Sequence, residues 1–266
     1  MLGLNKNPEN ENIKNPPSDD SYPIVSILFS KSNKIDINAL SLIVLDLINK
    51  DQIKCDIDLE DSYEVGKKLT PQDMEVMKKI TLRIANKGEL KTSETMAINL
   101  LKNLNKNKKF NLKSMAKQTN NSSIANKFEK DFDEFVKSLK NENGYDGENY
   151  KDILQNGKFT GNGKEIKKEW KNFQNYLKSN DLTEKYPPES VDENSAQIIY
   201  GACFGIEKDA LNIRENNTVL TDFIDKDGYK LLNIIFNNAL LNVTEKRKGD
   251  GIFYGINDKY TIPGGG

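Results

Sequence analysis

Two stretches of the sequence have residue types that bind calcium or phosphate, but at unsuitable spacings. Asp225-Lys226-Asp227-Gly228 resembles the middle of a calcium loop, yet the alignment puts Phe223 and Ile234 where oxygen ligands are required. Residues 157–164 imitate a phosphate-binding loop, but the spacer between the glycines is one residue too long and Glu165 replaces the magnesium-binding Ser or Thr. The first stretch predicts a turn, and neither predicts a ligand site.

The sequence contains no histidine among its 266 residues. Histidine is the usual general base at neutral pH, the partner of serine and cysteine nucleophiles, and a frequent zinc ligand. Carboxylates are plentiful, but no pair of acidic residues has a spacing that distinguishes a catalytic acid/base pair from ordinary charged residues of a protein surface. The sequence therefore predicts no catalytic residue, no metal ligand and no cofactor, and we expect a non-enzymatic protein.

The two cysteines, Cys55 and Cys203, lie far apart in the sequence and both occur in apolar runs. Free cysteines in such surroundings behave as small buried apolar side chains, which favours two unreactive thiols over a disulfide or a reactive site. This usage is typical of a reducing compartment.

The strongest local charge lies between Leu101 and Lys130, where eight lysines and one acid, Glu129, give a net charge of +7. These side chains could contact phosphates or an anionic membrane surface, and the alternative is a solvated helix face. The segment contains no arginine, so recognition of specific nucleic-acid bases is the least favoured of these binding roles. The candidate contacts are Lys102, Lys106, Lys108, Lys109, Lys113, Lys117, Lys127 and Lys130.

The chain is long enough for two domains, and 36% of its residues are hydrophobic. Its net charge of -1 creates no overall field that attracts polyanions, so any such role must be local. Apolar periodicity predicts a mostly α fold, α+β through small hairpins. The predicted parts are a flexible linker over 1–21, a winged-helix-like region over 22–145, a helical domain over 160–248 and an extended Gly-rich tail over 249–266.

The winged-helix-like region is predicted to contain a helix followed by a hairpin. Asp36 is a suitable N-cap for a helix that runs to about Asn49 and is apolar on most sides. Two β-favouring runs follow, over residues 52–58 and 62–66, with a turn between them. This order is the basis for the comparison with a winged helix.

The next segment is predicted to be a helix from Thr70 to Gly88. Thr70 is the N-cap, a proline occupies the first helical position, and Met77, Ile80 and Ile84 form the inner face. A further helix begins near residue 93. Residues 110–118, a polar turn and a long helix to about residue 139 then resemble a helix-turn-helix.

The second domain is predicted to form around the only tryptophan. Apolar residues at spacings of four, three and four follow one face of a helix through Trp170. Ser190-x-x-Glu193 is a capping box that opens the next helix, and residues 218–246 predict one or two more. The core-defining residues are Trp170, Phe173, Leu177 and Tyr200.

Five short motifs occur in a fixed order along the chain. They are Asn15-Pro16-Pro17 ahead of Pro23, LIVLDLINKDQIKCDID over 42–58, Leu69-Thr70-Pro71, the segment from Thr160 to Leu177, and Ile199 to Ile206. Taken in this order, they make the chain similar to the C-terminal cytoplasmic region of the YciQ-like predicted membrane proteins, a family of unknown function. The resemblance implies a domain tethered beneath a membrane by a helix that precedes it, and it supplies no catalytic residues.

These observations predict a soluble domain on the cytoplasmic face of the cell membrane. The most apolar run, residues 39–48, is about half the ~20 residues that a membrane span requires, and no signal peptide is visible. We expect a non-enzymatic protein-interaction or regulatory module with a protein partner. The alternative is a nucleic-acid-binding winged-helix domain that uses the lysine-rich segment.

Overall fold

The computed structural model describes residues 14–18, 21–61, 63–66, 70–85, 88–141, 150–185, 187–206, 210 and 218–246. Within these residues the chain is mostly helical with two small antiparallel sheets, which confirms the predicted fold class. The predicted tail over 249–266 and most of the predicted linker over 1–21 lie outside the described residues.

Short strands are interspersed among the helices along the described part of the chain. Residues 22–141 form α1 (Tyr22–Phe29), α2 (Ile37–Asn49), β1 (Ile53–Ile57), α3 (Pro71–Lys79), β2 (Ile80–Ile84), α4 (Thr92–Leu104), β3 (Lys109–Asn111), α5 (Leu112–Gln118) and α6 (Ser122–Asn141). Residues 150–246 form α7 (Tyr150–Ile153), β4 (Leu154–Gln155), β5 (Lys158–Phe159), α8 (Gly161–Lys178), α9 (Asn180–Lys185), α10 (Val191–Phe204), α11 (Thr218–Asp225) and α12 (Gly228–Lys246).

The described residues separate into two compact units that are not contiguous in sequence. Unit 1 contains those of 1–34 and 143–217, and unit 2 contains those of 35–142 and 218–262. In unit 1, α1 packs against α8 and α10, and in unit 2, α12 packs against α2, α5 and α6. The apolar faces of α1 and α12 therefore find partners that are remote in sequence.

The core of unit 1 forms around the only tryptophan. Trp170, Phe173 and Leu177 are buried on α8, and Tyr200 is buried on α10. The Trp170 ring centroid lies 4.9 Å from that of Tyr200 and 5.9 Å from that of Phe173. Aromatic pairs at these distances add to the free energy of burial, so the indole joins α8 to α10.

Two predicted helix starts are confirmed by side-chain caps. The Thr70 hydroxyl accepts a hydrogen bond from the backbone N–H of Asp73 at 3.2 Å, and the Asp73 carboxylate accepts one from the N–H of Thr70. The Ser190 hydroxyl accepts a hydrogen bond from the N–H of Glu193 at 3.1 Å. The Glu193 carboxylate accepts from Glu189 instead of Ser190, at 2.7 Å, so the reciprocal half of this capping box is shifted by one residue.

The helix predicted from Thr70 to Gly88 is wrong beyond Lys79, where α3 ends and the chain continues directly as β2. Along β2 the two isoleucines and the leucine are buried, whereas Arg83 is exposed. This alternation is that of a strand with one buried face. The spacing of the same apolar residues also fits one face of a helix, which is why the periodicity was misleading.

The hairpin predicted between residues 52–58 and 62–66 is also wrong. β1 pairs with β2, and the described residues 63–66 form no strand. The backbone of Val65 is bound by two charged side chains: its N–H donates to the Asp227 carboxylate, and its carbonyl accepts from the Lys230 ammonium. Contacts with the start of α12 therefore fix a segment for which local pairing was expected.

The predicted N-cap Asp36 combines a capping hydrogen bond with burial. Its carboxylate accepts from the backbone N–H of Asn38 at 3.0 Å, and α2, which it caps, is buried on nearly all sides. Desolvation raises the pKa of Asp36 from its ordinary value of 3.8 to about 6, against the opposing effect of the hydrogen bond from Asn38. The charged carboxylate is therefore unfavourable for folding near neutral pH.

We expect Asp36→Asn to raise the free energy of unfolding by roughly 2 kcal/mol at about pH 7.5. Because the folded pKa of Asp36 is raised, the folded state binds the proton more tightly, and wild-type stability falls as the pH rises from about 4 to about 6. Asparagine keeps the capping oxygen without the charge, so the gain should disappear below about pH 4. Urea unfolding at both pH values measures this difference, and an equal gain at both would contradict it.

Candidate interaction surface

The three-stranded sheet of unit 2 aligns three cationic side chains across its strands. β2 lies between β1 and β3 and is antiparallel to both. In this register Lys54 is opposite Arg83, and Arg83 is opposite Lys109. Directly opposed residues project from the same face of a sheet, so the three side chains form one row, which we call the basic row.

The other face of this sheet belongs to the core of unit 2. Leu82 and Phe110 form the adjacent opposed pair, and both are buried. Arg83 and Lys109 are exposed, and the Lys54 side chain is 35% exposed. Burial of the apolar face fixes which way each strand is turned, and the two-residue alternation then leaves the basic row on the outer face.

The basic row is only partly neutralised within the domain. Lys54 forms an ion pair with Asp51, whereas neither Arg83 nor Lys109 has an ion pair with any described residue. Asp56 contributes a single carboxylate to the next outward-facing row. Like charges directly opposite each other destabilise a sheet, so this arrangement does not favour folding of the isolated domain.

The eight lysines selected by sequence analysis are distributed over several elements. They are Lys102 on α4, Lys106 and Lys108 before β3, Lys109 on β3, Lys113 and Lys117 on α5, and Lys127 and Lys130 on α6. Two of them are ion-paired, Lys113 with Glu75 and Lys127 with Asp131. Among these eight lysines, Lys109 belongs to the basic row, whose other members, Lys54 and Arg83, lie outside the predicted segment.

Comparison with known families identifies the region that contains this sheet. Residues 12–156 match the C-terminal domain of the predicted membrane proteins termed DUF2207, and the match covers more than half of the chain. The chain belongs to this family. The match includes every strand of the basic row, whereas the motifs at 160–177 and 199–206 lie beyond it. No curated protein and no solved structure matches the chain.

Among the described residues, no helix combines the length and apolar character that crossing a bilayer requires.

The two stretches that imitate ligand loops have structural roles in this DUF2207 chain. The predicted turn at residues 225–228 is confirmed between α11 and α12, where Asp227 has a φ of 54°. Asn156 and Gly157, with φ of 52° and 74°, form the two-residue turn between β4 and β5. Asn-Gly is a frequent hairpin turn, so this dipeptide is the sequence signal that indicates the β4–β5 hairpin. Within the described ranges, no group of three acidic or cysteine side chains is arranged to bind a metal.

The environments of both thiols disfavour their reactive form. Cys203 is buried and Cys55 is half-buried, and both are free cysteines. Burial raises the pKa of the Cys55 thiol to about 12 and raises that of Cys203 well above its ordinary value. Because the thiolate is the nucleophile, both side chains are unreactive near neutral pH.

We expect Arg83→Gln to raise the free energy of unfolding by up to about 1 kcal/mol, because Arg83 is opposed by a cation on each side. Glutamine keeps much of the length of the side chain and removes its charge. The gain should shrink at high salt, which screens charges on an exposed face. Thermal unfolding measures it, with Lys168→Gln, an exposed position on α8, as a control that changes stability by less than about 0.5 kcal/mol. A loss of stability in Arg83→Gln would contradict this electrostatic account.

Proposed function

We propose that this DUF2207 domain is a non-enzymatic interaction module on the cytoplasmic side of a membrane protein, and that the basic row is its contact surface. The observation that carries the proposal is the pair of exposed cations, Arg83 and Lys109, that have no ion pair among the described residues and lie opposite each other. The absence of histidine from the sequence and the raised thiol pKa values add support for a role without chemistry.

The partner of such a surface must present several negative charges close together. Neighbouring strands are about 4.8 Å apart, so the basic row spreads its three cations over roughly 10 Å. An acidic protein surface meets this requirement, and so does any layer of phosphate groups. Binding of this kind is electrostatic and weakens as the salt concentration rises.

Linear polyphosphate tests the proposed surface because it has neither a base, a lipid chain nor a protein fold. We expect the 266-residue chain to bind labelled polyphosphate at low salt, and the triple variant Lys54→Gln, Arg83→Gln, Lys109→Gln to bind at least about tenfold more weakly. The dependence of log affinity on log salt should become shallower by about 2, at ~0.7 per lost contact.

The matched control removes the same charge from another surface. Lys164→Gln, Lys168→Gln and Lys178→Gln alter three exposed positions on α8 and should change polyphosphate affinity by less than about twofold. If both triple variants weaken binding equally, net charge rather than the basic row explains the affinity, and the proposal fails.

Nucleic-acid binding is a second candidate function, and the arrangement of α5 and α6 favours it. The two helices are joined by residues 119–121, and exposed lysines occur on both, as in a helix-turn-helix. Fluorescence titration with duplex DNA at low salt tests this candidate. Affinity that is absent, or that is unchanged by Lys117→Gln, Lys127→Gln and Lys130→Gln together, excludes it.

A further inference from the structure

We infer that the basic row lies against the anionic headgroups of a lipid bilayer, the one to which the rest of this DUF2207 protein is attached. The inference rests on the proposed function and names its partner. The lysine-rich segment alone does not carry it, because two of the three cations in the row, Lys54 and Arg83, lie outside that segment.

The shape of the surface suits a planar partner. The three cations come from three adjacent strands and project from one face of the sheet, so their charged groups are spread side by side. Lysine and arginine have long flexible stems that allow their charged groups to reach a flat layer while the stems remain against the protein. A bilayer surface offers negative charges in such a layer.

The availability of the cations distinguishes this face from the α5–α6 pair. Lys113 on α5 and Lys127 on α6 are already ion-paired. Arg83 and Lys109 have no ion pair within the part of the chain that the structure describes. Lys54 is the ion-paired member of the row.

On the helix pair, the exposed lysines of the predicted segment that lie outside these ion pairs, Lys117 and Lys130, are on different helices. Arg83 and Lys109, in contrast, are directly opposed on neighbouring strands. This side-by-side arrangement favours a lipid surface over a nucleic-acid groove.

Two further lysines lie beside the row. Lys106 and Lys108 directly precede β3, and both are exposed. The N–H of Ile84 donates to the carbonyl of Lys108 at 2.9 Å, which extends the pairing of β2 to that residue. Both lysines therefore add positive charge to the chain segment that leads into the edge strand β3.

The expected affinity suits a domain that is already attached to the membrane. Each cation near an anionic leaflet contributes about fivefold (~1 kcal/mol), so three contribute on the order of 100-fold. Attachment holds the domain at a high effective concentration near the lipid, where such modest affinity is sufficient. The contact is then reversible and sensitive to salt and to lipid charge.

Cosedimentation of the 266-residue chain with vesicles tests the inference at low ionic strength. Phosphatidylcholine vesicles with and without phosphatidylglycerol are compared. We expect at least about tenfold stronger binding to the anionic vesicles, and a loss on the order of 100-fold in the variant Lys54→Gln, Arg83→Gln, Lys109→Gln. The α8 control variant, Lys164→Gln with Lys168→Gln and Lys178→Gln, should lose less than about twofold. Circular dichroism establishes that each variant remains folded.

Three results would overturn the inference. These are equal binding to neutral and anionic vesicles, an equal loss in the α8 control variant, and binding to duplex DNA that depends on the basic row and exceeds vesicle binding at the same salt. If polyphosphate binding depends on the basic row but vesicles are not bound, the lipid partner is rejected and the proposed function remains. If the basic-row variant binds polyphosphate as tightly as the unaltered chain, both the lipid inference and the proposed function are rejected.

Discussion

Trp170→Ala is expected to lower the free energy of unfolding of unit 1 by about 3 to 5 kcal/mol. The Trp170 side chain is fully buried on α8 and contacts rings from α8 and α10, with centroid distances of 4.9 Å to Tyr200, 5.9 Å to Phe173 and 6.2 Å to Phe204. Alanine removes the largest apolar surface in this core and leaves a cavity that the surrounding rings cannot fill.

Urea unfolding followed by far-ultraviolet circular dichroism measures the effect, because the variant has no tryptophan to report by fluorescence. Val191→Ala is the matched control: this apolar side chain also lies in unit 1 but is 53% exposed, and its truncation should change stability by less than about 0.5 kcal/mol. A loss in Trp170→Ala no larger than that of the control would show that the indole does not organise this core.

Phe128→Ala is expected to destabilise unit 2 by a similar amount, about 3 to 5 kcal/mol. Phe128 is fully buried on α6, which packs against α4 and α12. Its ring is stacked with those of Phe132 at 6.4 Å and Phe236 at 6.0 Å. The truncation therefore removes contacts between α6 and a helix from the far end of the described chain.

The single tryptophan, in unit 1, helps to locate the effect of Phe128→Ala. Circular dichroism reports on the helices of both units, whereas Trp170 fluorescence reports on its own surroundings in unit 1.

Phe128→Leu should lower the free energy of unfolding by less than about 1.5 kcal/mol because leucine fills most of the volume of the phenylalanine side chain. Val219→Ala, at a position that is 47% exposed in α11, is the surface control. Equal losses in the alanine and leucine variants would contradict the packing explanation.

Local sequence signals predicted the helices and several of their starts. Asp36, Thr70 and Ser190 each accept a backbone hydrogen bond at a helix start, as expected for side chains that satisfy otherwise unpaired N–H groups. The apolar stripe through Trp170 and the stripe through Phe128 are buried. These features depend on residues within one or two helical turns, so a sequence contains the information for them.

Strand pairing could not be predicted in the same way. The sequence predicts a helix through β2 because a short apolar run with a spacing of three or four residues fits both the helical and the strand period. Its pairing with β1 and β3 depends on segments that are separated by helices, and the expected local hairpin partner of β1 at residues 62–66 was wrong. Pairing satisfies the backbone groups of β2 on both edges and buries one of its faces, and only the tertiary arrangement provides those partners.

The sequence by itself determined the absence of histidine, the helical character and the caps of this protein, because these follow from composition and from neighbours along the chain. The tertiary structure alone decided that Lys54, Arg83 and Lys109 form one row. A one-residue change of register would turn an entire strand to its other face, so the shared outward face of these cations is set by burial of the opposite face against the core.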